Sequence, residues 1–302
     1  RFWSIPAIFI RDIFVGYLIG TKKTSLAMKI LILINILNII LDYFFVYILS
    51  MNIEGVAFAS LISESSILFF ILHFISKDRI FVNKRIFLSA LKGLSNLKNK
   101  LIVNGNMFIR SVILMTCFAH FMSLSASYGE IVLAANTILL NFFFIFSYGI
   151  DAFAHATEVM VGNSVGQRDI KKYDMTIQSS FKYIFSILIM FLIIFSIFSV
   201  EIISIITSHG NVIYLAYQNI IYLFFIVSFG SLAFCIDGIL IGGLQHIRIR
   251  NIMIYSGIIY FLCMVILSPN KPHLIWYPFL VFFMTRSILL FLSLNRIRGT
   301  LF

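Results

Sequence analysis

Apolar segments of roughly 20 residues recur along this chain with short polar breaks between them, and a helix of that length crosses about 30 Å of hydrocarbon. Nine such segments can be read, at about 2–20, 26–49, 56–75, 101–125, 132–161, 177–206, 212–243, 252–267 and 274–294. Of the 302 residues 61% are hydrophobic and 12% charged, with 34 Phe, so no water-soluble fold of this size could cover its apolar surface. In lipid each segment must satisfy its own backbone polar groups, which a helix does. The pattern predicts an all-α integral membrane protein with about nine transmembrane helices. The 252–267 segment is the shortest of them.

The basic residues are distributed unevenly across these segments. Lys22, Lys23 and Lys29, the stretch from Lys77 to Lys100, Arg168, Lys171 and Lys172, Arg248 and Arg250, and Arg296 and Arg298 all fall on one side. The other side, apart from Arg1, holds only Lys271. Positive charge stays in the cytoplasm during insertion, so the basic side is inside and the C-terminus is cytoplasmic. The net charge of +11 is then a set of loop anchors and predicts no nucleic-acid partner. Nine spans with an inner C-terminus place Arg1 outside. That predicts an upstream region with an odd number of spans, most simply three, either missing from the sequence or lost from the gene.

Other chemistries are poorly supported. Cys117, Cys235 and Cys263 are isolated within apolar segments, and no two of the six His share a metal-ligand spacing. No Gly-rich phosphate loop is present. The chain is therefore read as neither an enzyme nor an ATP-driven pump, with no cofactor and no metal, and its work would be driven by an ion gradient or a partner.

The segment Gly16-Tyr17-Leu18-Ile19-Gly20 recurs six spans later as Gly238-Ile239-Leu240-Ile241-Gly242. A parallel six-plus-six duplication gives such an offset. Residues 1–76 would then be the last three spans of a first lobe, 77–100 a cytoplasmic linker, and 101–302 a complete second lobe of six.

Further stretches carry a family resemblance: Ser4-Ile5-Pro6-Ala7; Asn35 to Asp42; Glu54 to Ser60; Asn104 with Arg110-Ser111; Ala134-Ala135-Asn136; Tyr148 through Glu158 to Gly162, Gly166 and Asp169; Asp237-Gly238; and Arg250-Asn251. In this order they resemble the multidrug and toxic compound extrusion (MATE) family, in its DNA-damage-inducible (DinF-type) branch. The resemblance implies a fold of two six-helix lobes with twelve spans, of which this chain supplies the fourth to the twelfth. It also implies export of bulky, lipophilic, often cationic compounds in exchange for protons or sodium.

A carboxylate within a span is costly to bury, so each is either paired or working. Asn35, Asn38 and Asp42 lie near one face of the second segment. A carboxylate flanked by amides suits a bound proton or sodium ion, while the bland alternative is helix-to-helix hydrogen bonding. The resemblance places a cation site at Asn38 and Asp42 and matches Ser60 to a small hydroxyl position of it. It also implies a neutral polar residue where this chain has Arg11-Asp12. Counted at 1.5 Å per residue, Arg11 is roughly 14 Å and Asp42 roughly 10 Å from the outer surface. Arg11 is thus expected to pair with Asp42 or Asp12.

In the fifth segment Ser147, Asp151, His155, Glu158 and Gly162 share a face and could line a cavity or relay protons. On the structural alternative Arg110 neutralises Asp151, and Gly162 with Gly166 allows close packing. Asp237 and Arg286 are expected to form another internal pair. The favoured function is multidrug efflux by proton or sodium antiport, in a multi-pass protein of the bacterial inner membrane needing no protein partner besides the bilayer. A lipid-linked oligosaccharide flippase with a more cationic cavity, or a non-transporting truncated remnant, are the alternatives.

Overall fold

The computed structural model describes residues 2–21, 23–78, 97–267 and 271–301, and among them the regular structure is entirely helical. Contacts divide the chain into two compact units, Arg1–Leu97 and Lys98–Phe302. Residues 79–96, most of the expected linker, lie outside the described residues.

The first unit contains three long helices, α1 (Ile5–Gly20), α2 (Thr24–Tyr43) and α3 (Ile53–Asp78). Pro6 sits in the first turn of α1, where its missing N–H costs nothing. At the other end Thr21 Oγ1 donates to Tyr17 O at 2.8 Å, a carbonyl that also accepts the backbone N–H of Thr21 at 3.0 Å. The last turn of α2 widens into a π-helical stretch, Phe44–Ile48, and the chain reverses through Ser50, whose φ is 51°. Gly55 permits the tight return: a Cβ there would lie 2.9 Å from Met51 Cβ and 3.1 Å from Phe45 Cβ. Phe14, Leu18, Ala27, Ile30, Ile34 and Ile67 form the small core of this unit.

The second unit contains α4 (Leu97–Ser127), α5 (Glu130–Gly166), α6 (Ile170–Ile206), α7 (Gly210–Gly242), α8 (His246–Leu267) and α9 (Trp276–Leu301). Gly129, with φ 104°, makes the turn between α4 and α5 in a conformation that other residues rarely adopt. Asp169 caps α6 by accepting from Lys172 N at 3.0 Å. Further along, Phe198 leaves helical geometry and kinks that helix. Helices α5 and α7 supply much of the core, and their backbones nearly touch where Gly238 faces Ala154 and Gly242 faces Glu158. Phe121, Phe279 and Trp276 form an aromatic layer beside them, with Phe121 4.7 Å from Phe279 and 4.8 Å from Trp276 between ring centroids. The indole Nε1 of Trp276 donates to Asn136 Oδ1, and Asn136 in turn donates to Ser125 Oγ.

Eight of the helical stretches are long and apolar enough to cross a membrane. The other segment read from sequence falls on α3, whose side chains beyond 69 lie outside the described residues. Large apolar side chains such as Ile39, Ile205 and Val265 point outward, as they must where the solvent is hydrocarbon. The shortest predicted segment, 252–267, starts six residues earlier as α8, because its polar first turns are held. Arg250 donates from Nη1 to Asn106 Oδ1 at 2.8 Å and from Nη2 to Asn251 Oδ1 at 2.7 Å.

Candidate ion-coupling site and charge clusters

Within the first unit, Asn38 and Asp42 lie one turn apart on α2, and both are partly buried. Asn38 Nδ2 and Asp42 Oδ1 are shut off from solvent and have no hydrogen-bond partner among the described residues. A buried polar atom left unpaired costs about 1–3 kcal/mol, so two atoms one turn apart favour binding of a small polar or charged partner there. Asn35 leaves the group: it is exposed, and its amide donates to Leu31 O at 2.9 Å. Ser60, half-buried on α3, is engaged in the helix packing around it, its carbonyl accepting from Ser63 Oγ at 3.1 Å.

Arg11 does not pair with Asp42. Its Nε and Nη2 bind Asp12 Oδ1 at 3.0 and 2.9 Å, and its Nη1 reaches both carboxylate oxygens of Glu64 on α3, at 2.6 and 2.5 Å. Arg11 and Glu64 are each about four-fifths buried, whereas Asp12 is largely exposed. The helix α1 carries Arg11 toward α3, and Glu64, the carboxylate there, takes the guanidinium. Sequence reasoning missed Glu64. Its signal was available, since it lies four residues after Ser60 within an apolar segment.

The second unit holds a different arrangement. Asp237 on α7 is almost fully buried and receives two guanidinium groups on one oxygen: Arg110 Nη2 of α4 at 2.6 Å, and Arg286 Nη2 of α9 in a shorter contact. The expected Asp237–Arg286 pair is present, with Arg286 also over the Phe234 ring, 5.4 Å from its centroid. The expected Arg110–Asp151 pair is not: Arg110 spends its hydrogen bond on Asp237, and Asp151 is half-exposed within Coulombic range of both arginines. Arg110 Nε, Arg286 Nη1, Asp237 Oδ1 and Ser147 Oγ are buried without hydrogen-bond partners among the described residues. With Asp151 counted, the cluster carries no net charge.

The polar face of α5 is graded. Ser147 is buried, Asp151 and Glu158 are intermediate, and His155 is three-quarters exposed with its Nδ1 3.4 Å from Glu158 Oε2. Gly166 meets nothing within 4 Å, and Gly162 only Gly242 O at 3.6 Å, so the close packing expected of them is made instead by Gly238 and Gly242. Gly16 and Gly20, their counterparts in the sequence repeat, have open space. Among the described residues no group of three or more His, Cys, Asp and Glu could hold a metal ion.

The MatE family model matches residues 107–270, more than half of the chain. The chain belongs to the MatE family. DNA damage-inducible protein F of Escherichia coli (strain K12) is 26% identical over 290 residues, which cover 95% of this chain and 63% of that protein. The chain thus spans under two thirds of the length of that relative. A mutant of the Vibrio cholerae MATE transporter VcmN superposes with a TM-score of 0.83 at 14% identity, covering 99% of this chain and 67% of that one. A MOP superfamily transporter from Pyrococcus furiosus, described as having a binding pocket of reverse polarity, gives 0.81 at 19% identity, with coverage of 98% and 67%. These likenesses support the all-α membrane fold and the DinF-type resemblance. MatE family members are transporters, not enzymes.

Proposed function

We propose that this MatE chain acts in multidrug efflux by cation antiport, with proton or sodium loading at Asp42 and Asn38 and with Ser60 as a further member of the site. The carrying observation is the unpaired state of two buried polar atoms on one face of α2, Asn38 Nδ2 and Asp42 Oδ1. A carboxylate oxygen offers a small cation a charged ligand, and the neighbouring amide can orient the ion or its water. Two helical lobes exchanging access would carry a lipophilic, cationic substrate in a multi-pass protein of the bacterial inner membrane with a cytoplasmic C-terminus. Asp12, Asp151, His155, Glu158 and Asp237 are secondary candidates for cavity lining or relay.

The charge balance favours this proposal over a flippase with a cationic cavity. Around Arg11 in the first unit stand Asp12 and Glu64, with Asp42 a further acid on α2, and in the second unit Asp237 and Asp151 offset Arg110 and Arg286. Ethidium efflux from vesicles bearing the full-length protein, driven by an imposed proton or sodium gradient, is the test. Asp42→Asn should abolish the gradient-dependent component. Undiminished gradient-driven efflux in that variant refutes coupling at Asp42.

A further inference from the structure

Three charged groups of the first unit lie at different depths, and Arg11 pairs with Asp12 and Glu64 and not with Asp42. By residue count from the helix ends they share on one side, Asp42 lies roughly 10 Å, Arg11 roughly 14 Å and Glu64 roughly 16 Å along its helix, so in depth Arg11 falls between the two acids. Its guanidinium is turned entirely to one of them and to its neighbour: Nη1 holds both oxygens of Glu64, while Nε and Nη2 hold Asp12. A bidentate, largely buried charge-assisted contact is the strongest of these and fixes the direction of the side chain. Meanwhile Asp42 Oδ1 is buried with no partner.

We propose that Glu64 is a positioning residue that holds Arg11 away from Asp42 and so keeps the carboxylate available to a mobile monovalent cation. This rests on the assignment of ion loading to Asp42. A guanidinium beside a carboxylate is a resident competitor for any proton or sodium ion, and such a neighbour shifts carboxylate proton affinity by roughly 10- to 1,000-fold. With Glu64 neutral, Arg11 loses its best acceptor, and Asp42 is the unpaired buried acid nearest in depth. Neutralising Arg11 as well removes the competitor.

The purified full-length protein in detergent, with Tm followed as sodium is raised at fixed pH and as pH is lowered without sodium, reads ion binding with no substrate needed. The ion that stabilises the parent defines a midpoint. Glu64→Gln should move that midpoint to at least tenfold higher ion concentration, and the double variant Arg11→Gln with Glu64→Gln should return it to within about threefold of the parent. An unchanged midpoint in Glu64→Gln overturns the proposal. So does a weakened midpoint that the double variant leaves weakened, because a merely structural role for the pair would give that result. Glu64→Asp, which keeps the acceptor, should retain the parental midpoint, and loss of ion response in it also counts against the positioning role. Asp42→Asn separates the two levels: a persisting ion response there removes Asp42 as the loading site, whereas a lost response with Glu64→Gln unaffected removes only the role of Glu64.

Discussion

Replacing Gly238 by Ala tests one of the two tight contacts between α5 and α7. The added Cβ would lie 2.5 Å from Ala154 O, 3.1 Å from its C and 3.2 Å from its Cα, all backbone atoms of α5 that no rotamer change can clear. Relief requires α7 to move away from α5 by several tenths of an ångström or more, and overpacking of this kind costs roughly 1–3 kcal/mol. In a unit of this size that corresponds to a Tm lower by roughly 2–12 °C. The displacement also moves Asp237, the next residue, against Arg110 and Arg286 on two other helices. Two controls bracket the effect. At Gly16 an added Cβ meets nothing within 4 Å, so Gly16→Ala should leave Tm unchanged or slightly raised through better helix propensity. At Gly257 the obstacle is Ile113 Cγ2 at 2.7 Å, a side-chain methyl and not backbone, and the loss should be smaller than at Gly238. Thermal unfolding of the three variants in one detergent supplies the comparison. A Gly238→Ala protein within 1 °C of the parent would refute the close approach of α5 and α7.

The buried charge cluster should respond to its arithmetic. Asp237→Asn leaves two guanidinium groups without their shared acid and should cost roughly 3–5 kcal/mol, whereas Arg286→Met leaves Asp237 neutralised by Arg110 and should cost much less. Equal losses of stability in the two variants would show that the three charges do not act as a set. Trp276→Phe removes the donor to Asn136 Oδ1 and should cost roughly 1–3 kcal/mol, read by thermal unfolding, while a further Asn136→Leu change should recover part of the loss by removing the stranded amide. Thr157→Val breaks the 2.7 Å contact with Ser180 Oγ between α5 and α6 and should cost about 1 kcal/mol in the same assay.

The helices were legible because the apolar segments are long, and the solvent they require leaves the backbone one way to satisfy itself. Their ends were less so. The first turns of α8 contain Arg248 and Arg250, which an apolar window excludes, and only the fold shows Asn106 waiting on α4 to receive Arg250. The candidate site shows the same division. Spacing along α2 put Asn38 and Asp42 on one face, since 3.6 residues per turn is a local rule. Partner choice is not local. Arg11 had two plausible acids by depth and proximity; it keeps Asp12, and the rotation of α1 about its own axis, set by Phe14 and Leu18 packing near Ile67, gives it Glu64 in place of Asp42. Arg110 likewise had Asp151 within range and bonded Asp237 instead, because the near-contact at Gly238 brings α7 close to α5 and presents the adjacent carboxylate in the unit's interior. In each case a residue without charge decides which charges meet: apolar side chains fix the rotation of α1, and a glycine fixes the depth of α7. Variants of Phe14 or Leu18 that re-register α1 should therefore alter the ion binding proposed at Asp42 without touching a polar atom, by the route proposed for loss of Glu64.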